Sequence, residues 1–239
     1  FIMPRLARIV AVGHPHHVTH RGNRHEDVFL SDAHRCQYLA FLKQYADAAQ
    51  LEIWAYCLMS NHVHLIAVPR REGALAGGAG LAHRRYAVWL NREEGLSGHL
   101  WANRFYSAPL DDAHHWAAVR YVEANPVRAG MVGSAAEYAW SSARAHILGA
   151  PDALLSPERP YPGPVEDWAA WLAVAGDCDE IERVRAATRT GRPCGGSGFV
   201  AMLERALGRP LRRRKPGRRP RSDQTEEKGQ LDMLGEAGI

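Results

Sequence analysis

Along the chain, apolar and polar positions repeat with two periods. Residues 15–20 read as a strand, closed by the turn-prone Arg21-Gly22-Asn23-Arg24. Ser31 or Asp32 can cap a helix whose apolar positions Cys36, Leu39, Leu42, Ala46 and Ala49 fall at helical spacing. Two β-rich runs follow, 51–59 and 62–68, with Ser60-Asn61 between them and Pro69 at the end. They predict a hairpin in the centre of a sheet. Residues 73–92 are Ala- and Leu-rich and predict a helix weakened by Gly77, Gly78 and Gly80. A strand over 104–110 and a helix over 113–124 complete this part. Asp111 or Asp112 caps the helix and Pro126 stops it. The order β-α-β-β-α-β-α is that of a ferredoxin-like α+β unit with an elaborated end.

Beyond about residue 150 the texture changes. Five prolines between 151 and 164 mark a linker. Trp168, Trp171 and Leu172 predict a short amphipathic helix, and two more are expected at 179–188 and 197–207. The last pair is compatible with a helix-turn-helix, although its connector is long. The expected division is a catalytic-size α+β domain over 4–150, a linker with short helices over 151–207, and a flexible tail over 208–239.

Composition narrows the class. With 46% hydrophobic and 23% charged residues, the chain can build a core. No apolar run reaches the roughly 18–20 residues of a membrane span. Four scattered cysteines without a C-x-x-C pair argue against a disulfide scaffold or zinc ribbon, and fit a cytoplasmic location. Charge is segregated. Residues 1–150 hold 15 Lys+Arg against 12 Asp+Glu, residues 151–182 hold 1 against 8, residues 183–221 hold 13 against 1, and residues 222–239 hold 1 against 5. The basic block suits a polyanion. All 13 histidines lie within 1–150.

Two constellations carry chemistry. His62 and His64 stand at i and i+2 of a strand, so both imidazoles face one side, where they suit a metal or a phosphate. Val63, Leu65 and Ala67 are left for the other side. The plain alternative is a pair of ordinary sheet residues, but two polar rings among Met59, Leu65, Ile66 and Val68 require a reason. Tyr121 and Asn125, four apart, share a helix face. A phenol can attack phosphorus and an amide oxygen can bind a hard cation; alternatively Tyr121 is a core aromatic. Trp101, Phe105, Trp116 and Trp140 read as packing residues, and His14, His16 and His17 as surface residues.

The segment Met59-Ser60-Asn61-His62-Val63-His64-Leu65-Ile66, followed by Tyr121-Val122-Glu123-Ala124-Asn125-Pro126-Val127-Arg128-Ala129-Gly130, resembles the single-tyrosine HUH transposases. Within them it is most similar to REP-associated tyrosine transposases. His17 to Arg24, Leu100 to Phe105 and Trp140-Ser141-Ser142 fit the same branch, so the likeness spans roughly 4–147, and the basic region also looks like the tail many members carry. The resemblance implies a ferredoxin-like HUH domain, with His62 and His64 holding one divalent cation, Mg2+ or Mn2+. Asn125 matches the third-ligand position. Tyr121 would be the nucleophile that forms a 5′-phosphotyrosine link in single-stranded DNA beside a hairpin. Arg21, Asn23, Arg24 and Arg104 would contact DNA. Arg212, Arg213, Arg214, Lys215, Arg218 and Arg219 would add salt-sensitive affinity. No nucleotide cofactor and no membrane are expected; the chain would act as a monomer or homodimer.

Three rivals remain. A replication initiator or relaxase of HUH type would often show a third histidine or a second tyrosine near the nucleophile, and no second tyrosine lies in 113–124. A DNA-binding protein that has lost turnover would keep the fold. A zinc hydrolase would need H-E-x-x-H or a carboxylate beside the pair.

Overall fold

A computed structural model describes residues 7–157, 167–174 and 176–212. Arg213, Arg214, Lys215, Arg218 and Arg219 lie outside these described residues. The fold is α+β, built on a four-stranded antiparallel sheet in the order β2-β3-β1-β4. The strands are β1 (His16–Arg21), β2 (Leu51–Leu58), β3 (His62–Pro69) and β4 (Tyr106–Pro109). The expected hairpin is β2–β3, and β1 lies between β3 and β4 as the ferredoxin-like order requires.

Helices cover both faces. On one side, α1 (Asp32–Ala49) and α2 (Leu81–Glu93) bring Tyr38, Leu42, Tyr86 and Leu90 against Val18, Val63, Leu65 and Ala67. Ser31 rather than Asp32 caps α1, its side chain accepting from the His34 N–H. The glycine-weakened start of the second helix is a π-helical turn, Ala76–Gly80. A Cβ on Gly78 would come within 2.6 Å of the Leu51 side chain, so that turn packs where only glycine fits.

On the other side, α3 (Asp112–Glu123) lays Ala118, Val119 and Val122 on Trp54, Cys57, Ile66 and Val68. Each fully buried aliphatic side chain there contributes roughly 1.5–3 kcal/mol. Two findings depart from expectation. α3 ends at Glu123, and a separate turn, α4 (Asn125–Arg128), begins at Asn125. Pro126 is tolerated because it occupies the first turn of that new helix, where no N–H is needed. His16 and His17 are not surface residues: both are buried, because β1 is an interior strand covered on both faces.

The remaining helices are α5 (Ala143–Leu148), α6 (Trp168–Ala173), α7 (Cys178–Thr190) and α8 (Ser197–Leu207). They are joined to the sheet domain. α7 packs on β4, α3 and β1. Cys194, in the α7–α8 connector, bridges Leu110 at the sheet edge, and the Gly196 N–H donates to the Asp111 cap of α3. α8 buries Leu203 beside Ile9, Ala11 and Leu211. Among the described residues no helix is long and apolar enough to cross a membrane.

Candidate active site

The H-x-H pair lies on β3, one strand in from the edge. The register sets Arg21 opposite His62, and Thr19 and Cys57 on either side of His64. Val63 and Leu65 point into the α1/α2 core, so the pleat turns both histidines toward α3 and α7. Their ring centroids are 4.9 Å apart and nearly perpendicular. The Tyr121 ring, in the last turn of α3, lies 5.3 Å from the His64 ring between centroids. Residues 62, 64 and 121 thus meet at one place although some sixty residues separate the strand from the tyrosine.

Each histidine is oriented by its neighbours. The His62 Nδ1 is 2.6 Å from the Asn61 side-chain oxygen. That oxygen can only accept, so His62 carries its proton on Nδ1 and presents a bare Nε2. Asn61 is itself clamped. Its Nδ2 donates to the His25 carbonyl, and its backbone carbonyl accepts from the Gly22 N–H. Arg24 and His25 both adopt left-handed backbone angles, with φ of 52° and 64°. Such residues cost of order 1–3 kcal/mol each and persist where surrounding contacts enforce them. A Cβ on Gly22 would meet the Glu26 carbonyl at 2.3 Å, so this turn needs its glycine.

His64 is 4% exposed, and its Nδ1 is 2.9 Å from His17 Nε2, while its own Nε2 is buried with no hydrogen-bond partner. Burial drives the His62 imidazole down to about 4, with Arg21 adding to the effect. Burial, then His17 and His62, holds His64 well below the usual histidine range. Both rings are therefore neutral at pH 7, the state in which imidazole binds metal.

Tyr121 is also buried, but it touches two guanidinium groups. Arg185 on α7 donates from Nε to the phenol oxygen at 3.2 Å. Arg128 sits 4.5 Å and Arg185 5.1 Å from the ring centroid. The hydrogen bond to Tyr121 raises Arg185 above the ordinary guanidinium value. Arg128 also donates to the Asn125 oxygen at 3.2 Å, leaving the buried Asn125 Nδ2 without a partner. Asn125 is therefore tied to the tyrosine through Arg128, across the α3–α4 break.

Behind this surface the fully buried Glu123 fixes the end of α3. Its carboxylate accepts from Ser142 Oγ, from His146 Nδ1 at 2.6 Å and from Trp168 Nε1 at 2.7 Å. Thus Ser142, His146 of α5 and the first residue of α6 hold the end of the tyrosine helix in place.

Among the residues expected to touch DNA, Arg21, Arg24 and Arg104 are exposed and Asn23 is half-buried. Arg21 and Arg24 lie beside the pair, in the turn after β1. Arg104 stands apart, next to Arg8 on the approach to β4, and its charge helps burial lower Arg8 to about 10. Arg212 is exposed near Glu204, 3.7 Å away. Sequence reasoning gave no role to Asn61, Arg128, Arg185 or Thr188, and set His17 on the surface. Asn61 and Arg128 sat inside the motifs already singled out. Arg185 lay in the basic block with nothing to distinguish it, and Thr188 carried no signal.

Whether the residues suit a divalent cation can be judged from the donors. Two neutral imidazoles lie side by side, and the buried Nε2 of His64 has no hydrogen-bond partner, while the Asn125 oxygen accepts from Arg128. Among the described residues no group of three His, Cys, Asp or Glu side chains converges, so a third protein donor must come from another residue type, such as Asn125. The set fits one cation that keeps its full charge for an anionic ligand.

Residues 11–125 match the family model described as IS200-like transposase. No curated protein matches the chain. Among solved structures, a REP-associated tyrosine transposase bound to a REP hairpin is similar at 18% identity and a TM-score of 0.49, covering 68% of this chain and 99% of its own. A proposed transposase from Deinococcus radiodurans R1 is similar at 19% identity and a TM-score of 0.34, covering 43% and 82%.

Proposed function

We infer, from residues 11–125, which match the IS200-like transposase model, and from the geometry around Tyr121, that the chain cleaves and rejoins single-stranded DNA beside a hairpin, with Tyr121 as nucleophile. The carrying observation is that the Tyr121 ring lies edge-on 5.3 Å from the His64 ring, beside the H-x-H pair. The motifs favour the REP-associated branch.

His62 and His64 would hold one Mn2+ or Mg2+ through their Nε2 atoms, and the Asn125 carboxamide, once released by Arg128, would be the third donor. When bound, the cation supplies Lewis-acid stabilisation of charge on the attacked phosphate. Imidazole nitrogens favour Mn2+ over the harder, oxygen-seeking Mg2+. The Tyr121 oxygen forms a bond to phosphorus as the P–O3′ bond breaks. The products are a 5′-phosphotyrosine and a free 3′-hydroxyl, and an incoming 3′-hydroxyl reverses the step. Arg185 donates to the phenol oxygen and stabilises the charge it carries when deprotonated. Arg128, over the same ring, neutralises a neighbouring phosphate. Arg21, Asn23, Arg24 and Arg104 position the DNA backbone, and the basic arm containing Arg212 adds affinity without sequence information.

The test is a labelled single-stranded hairpin with flanking sequence, incubated with the protein and Mn2+. A covalent protein–DNA adduct is expected from the native chain. Tyr121→Phe should bind the hairpin as before and form none. An adduct on the Phe variant would assign the chemistry to another tyrosine, with the exposed Tyr106 first in line.

A further inference from the structure

A chain of side chains runs from α7 to His64. Thr188 Oγ1 lies 2.8 Å from the Val184 carbonyl and 2.8 Å from His17 Nδ1. His17 Nε2 in turn lies 2.9 Å from His64 Nδ1, with the two ring planes within 9° of parallel and the centroids 5.1 Å apart, so the nitrogens face each other edge to edge. Thr188 and His17 are each 2% exposed, so water does not supply alternative partners from bulk.

Proton positions along this chain follow from counting donors. Two oxygens 2.8 Å apart, as Thr188 and Val184 present, need a proton between them, and a carbonyl has none to give. The Thr188 hydroxyl therefore donates to Val184, and its oxygen must accept from His17. The proton of the neutral His17 ring is then on Nδ1, which leaves Nε2 bare. That bare nitrogen can only accept, so His64 places its own proton on Nδ1. The His64 Nε2 ends with a free lone pair, and it is the buried nitrogen that has no hydrogen-bond partner. Reversing any one proton puts N–H against N–H or lone pair against lone pair inside the core.

We propose that Thr188 and His17 are positioning residues that set His64 in its metal-binding tautomer, so that α7, from the segment beyond residue 150, is part of the metal site. This rests on the reading of His64 as a metal ligand. His62 obtains the same tautomer by a separate route, through Asn61 and the Gly22–His25 turn. The two ligands are thus governed by two segments distant in sequence. Partners of this kind behind a ligating histidine typically change metal affinity by about 10- to 100-fold.

The experiment compares the full chain with Thr188→Val, Thr188→Ser and His17→Phe. Imidazole tautomers are read by nitrogen-15 NMR on metal-free protein, and Mn2+ affinity by titration without DNA. In the native chain His64 should be protonated on Nδ1. Thr188→Val removes the acceptor, so a second tautomer should appear and Mn2+ affinity fall about tenfold or more. Thr188→Ser keeps the hydroxyl and should behave like the native chain, which separates the relay from a general packing defect. His17→Phe should scramble the His64 tautomer while filling the same space. A His64 proton on Nε2 in the native chain would overturn the proposal. So would native tautomer populations and affinity in Thr188→Val. The expected tautomers with no Mn2+ binding at millimolar concentration would instead refute the metal-ligand reading and leave the relay standing.

Discussion

The buried histidines make stability depend on acid in a calculable way. His16 and His20 on β1 and His115 on α3 are all buried, and burial lowers each to about 4. His16 shows what protonation would break. Its Nδ1–H donates to the His14 carbonyl while its Nε2 accepts from the Ala11 N–H, so a second proton would face another N–H. In the unfolded chain each histidine titrates near 6.5. The folded value is lower, so the unfolded state binds protons first. The stability associated with these groups is complete above about pH 6.5 and is lost as pH falls toward 4. At pH 5.5, a shift from 6.5 to 4 costs about 1.4 kcal/mol per histidine relative to pH 8, or roughly 4 kcal/mol for three. Against a typical total of roughly 5–15 kcal/mol, that is a large share. His83, held well below the usual range by burial and His20, acts in the same direction. Urea unfolding in EDTA, from pH 8 to pH 5.5, measures the effect, and most carboxylates remain ionised over that range. Replacing His115 by Leu should remove about 1.4 kcal/mol of the change between pH 8 and pH 5.5. An unfolding free energy that changes by less than about 1 kcal/mol across the range would refute the neutral, buried assignment.

Three further outcomes are expected. Glu123→Ala leaves Ser142, His146 and Trp168 without their shared acceptor and should destabilise the fold by about 3–5 kcal/mol, measured by thermal or urea unfolding. Arg185→Ala removes the donor to the Tyr121 oxygen. It should slow adduct formation roughly 10- to 100-fold at saturating DNA, an effect of one hydrogen bond to a charged group, with hairpin affinity changed far less. Truncation after residue 212 keeps Leu211 in its buried cluster and should weaken binding to cognate and scrambled hairpins alike. It should also flatten the log–log dependence of affinity on salt by about 0.7 for each single-strand phosphate no longer neutralised; poorer discrimination with an unchanged salt slope would mean that the arm reads sequence.

Much of the framework follows from local chemistry. Hydrophobic periodicity set the hairpin of β2 and β3 and the helices α1 and α3, because period 2 or 3.6 must match the face an element buries. Ser31 and Asp111 marked the helix starts because their side chains accept from N–H groups otherwise left unpaired. The H-x-H spacing placed two imidazoles on one face for the same local reason. Local rules ended α3 before Pro126 but gave no sign of the new turn that Pro126 opens, and they failed at His16 and His17. Adjacent residues on a strand point to opposite faces, so both can be buried only where both faces are covered. Coverage is decided by the strand order and by α7, which arrives from residues 178–190. The tertiary structure alone joined Thr188 to His17 across 171 positions and Arg185 to Tyr121 across 64. A hydrogen bond between such residues leaves no periodicity in sequence: it forms because sheet and helices bring donor and acceptor within about 3 Å, and the Thr188–His17 bond does so in a core where neither has water to turn to.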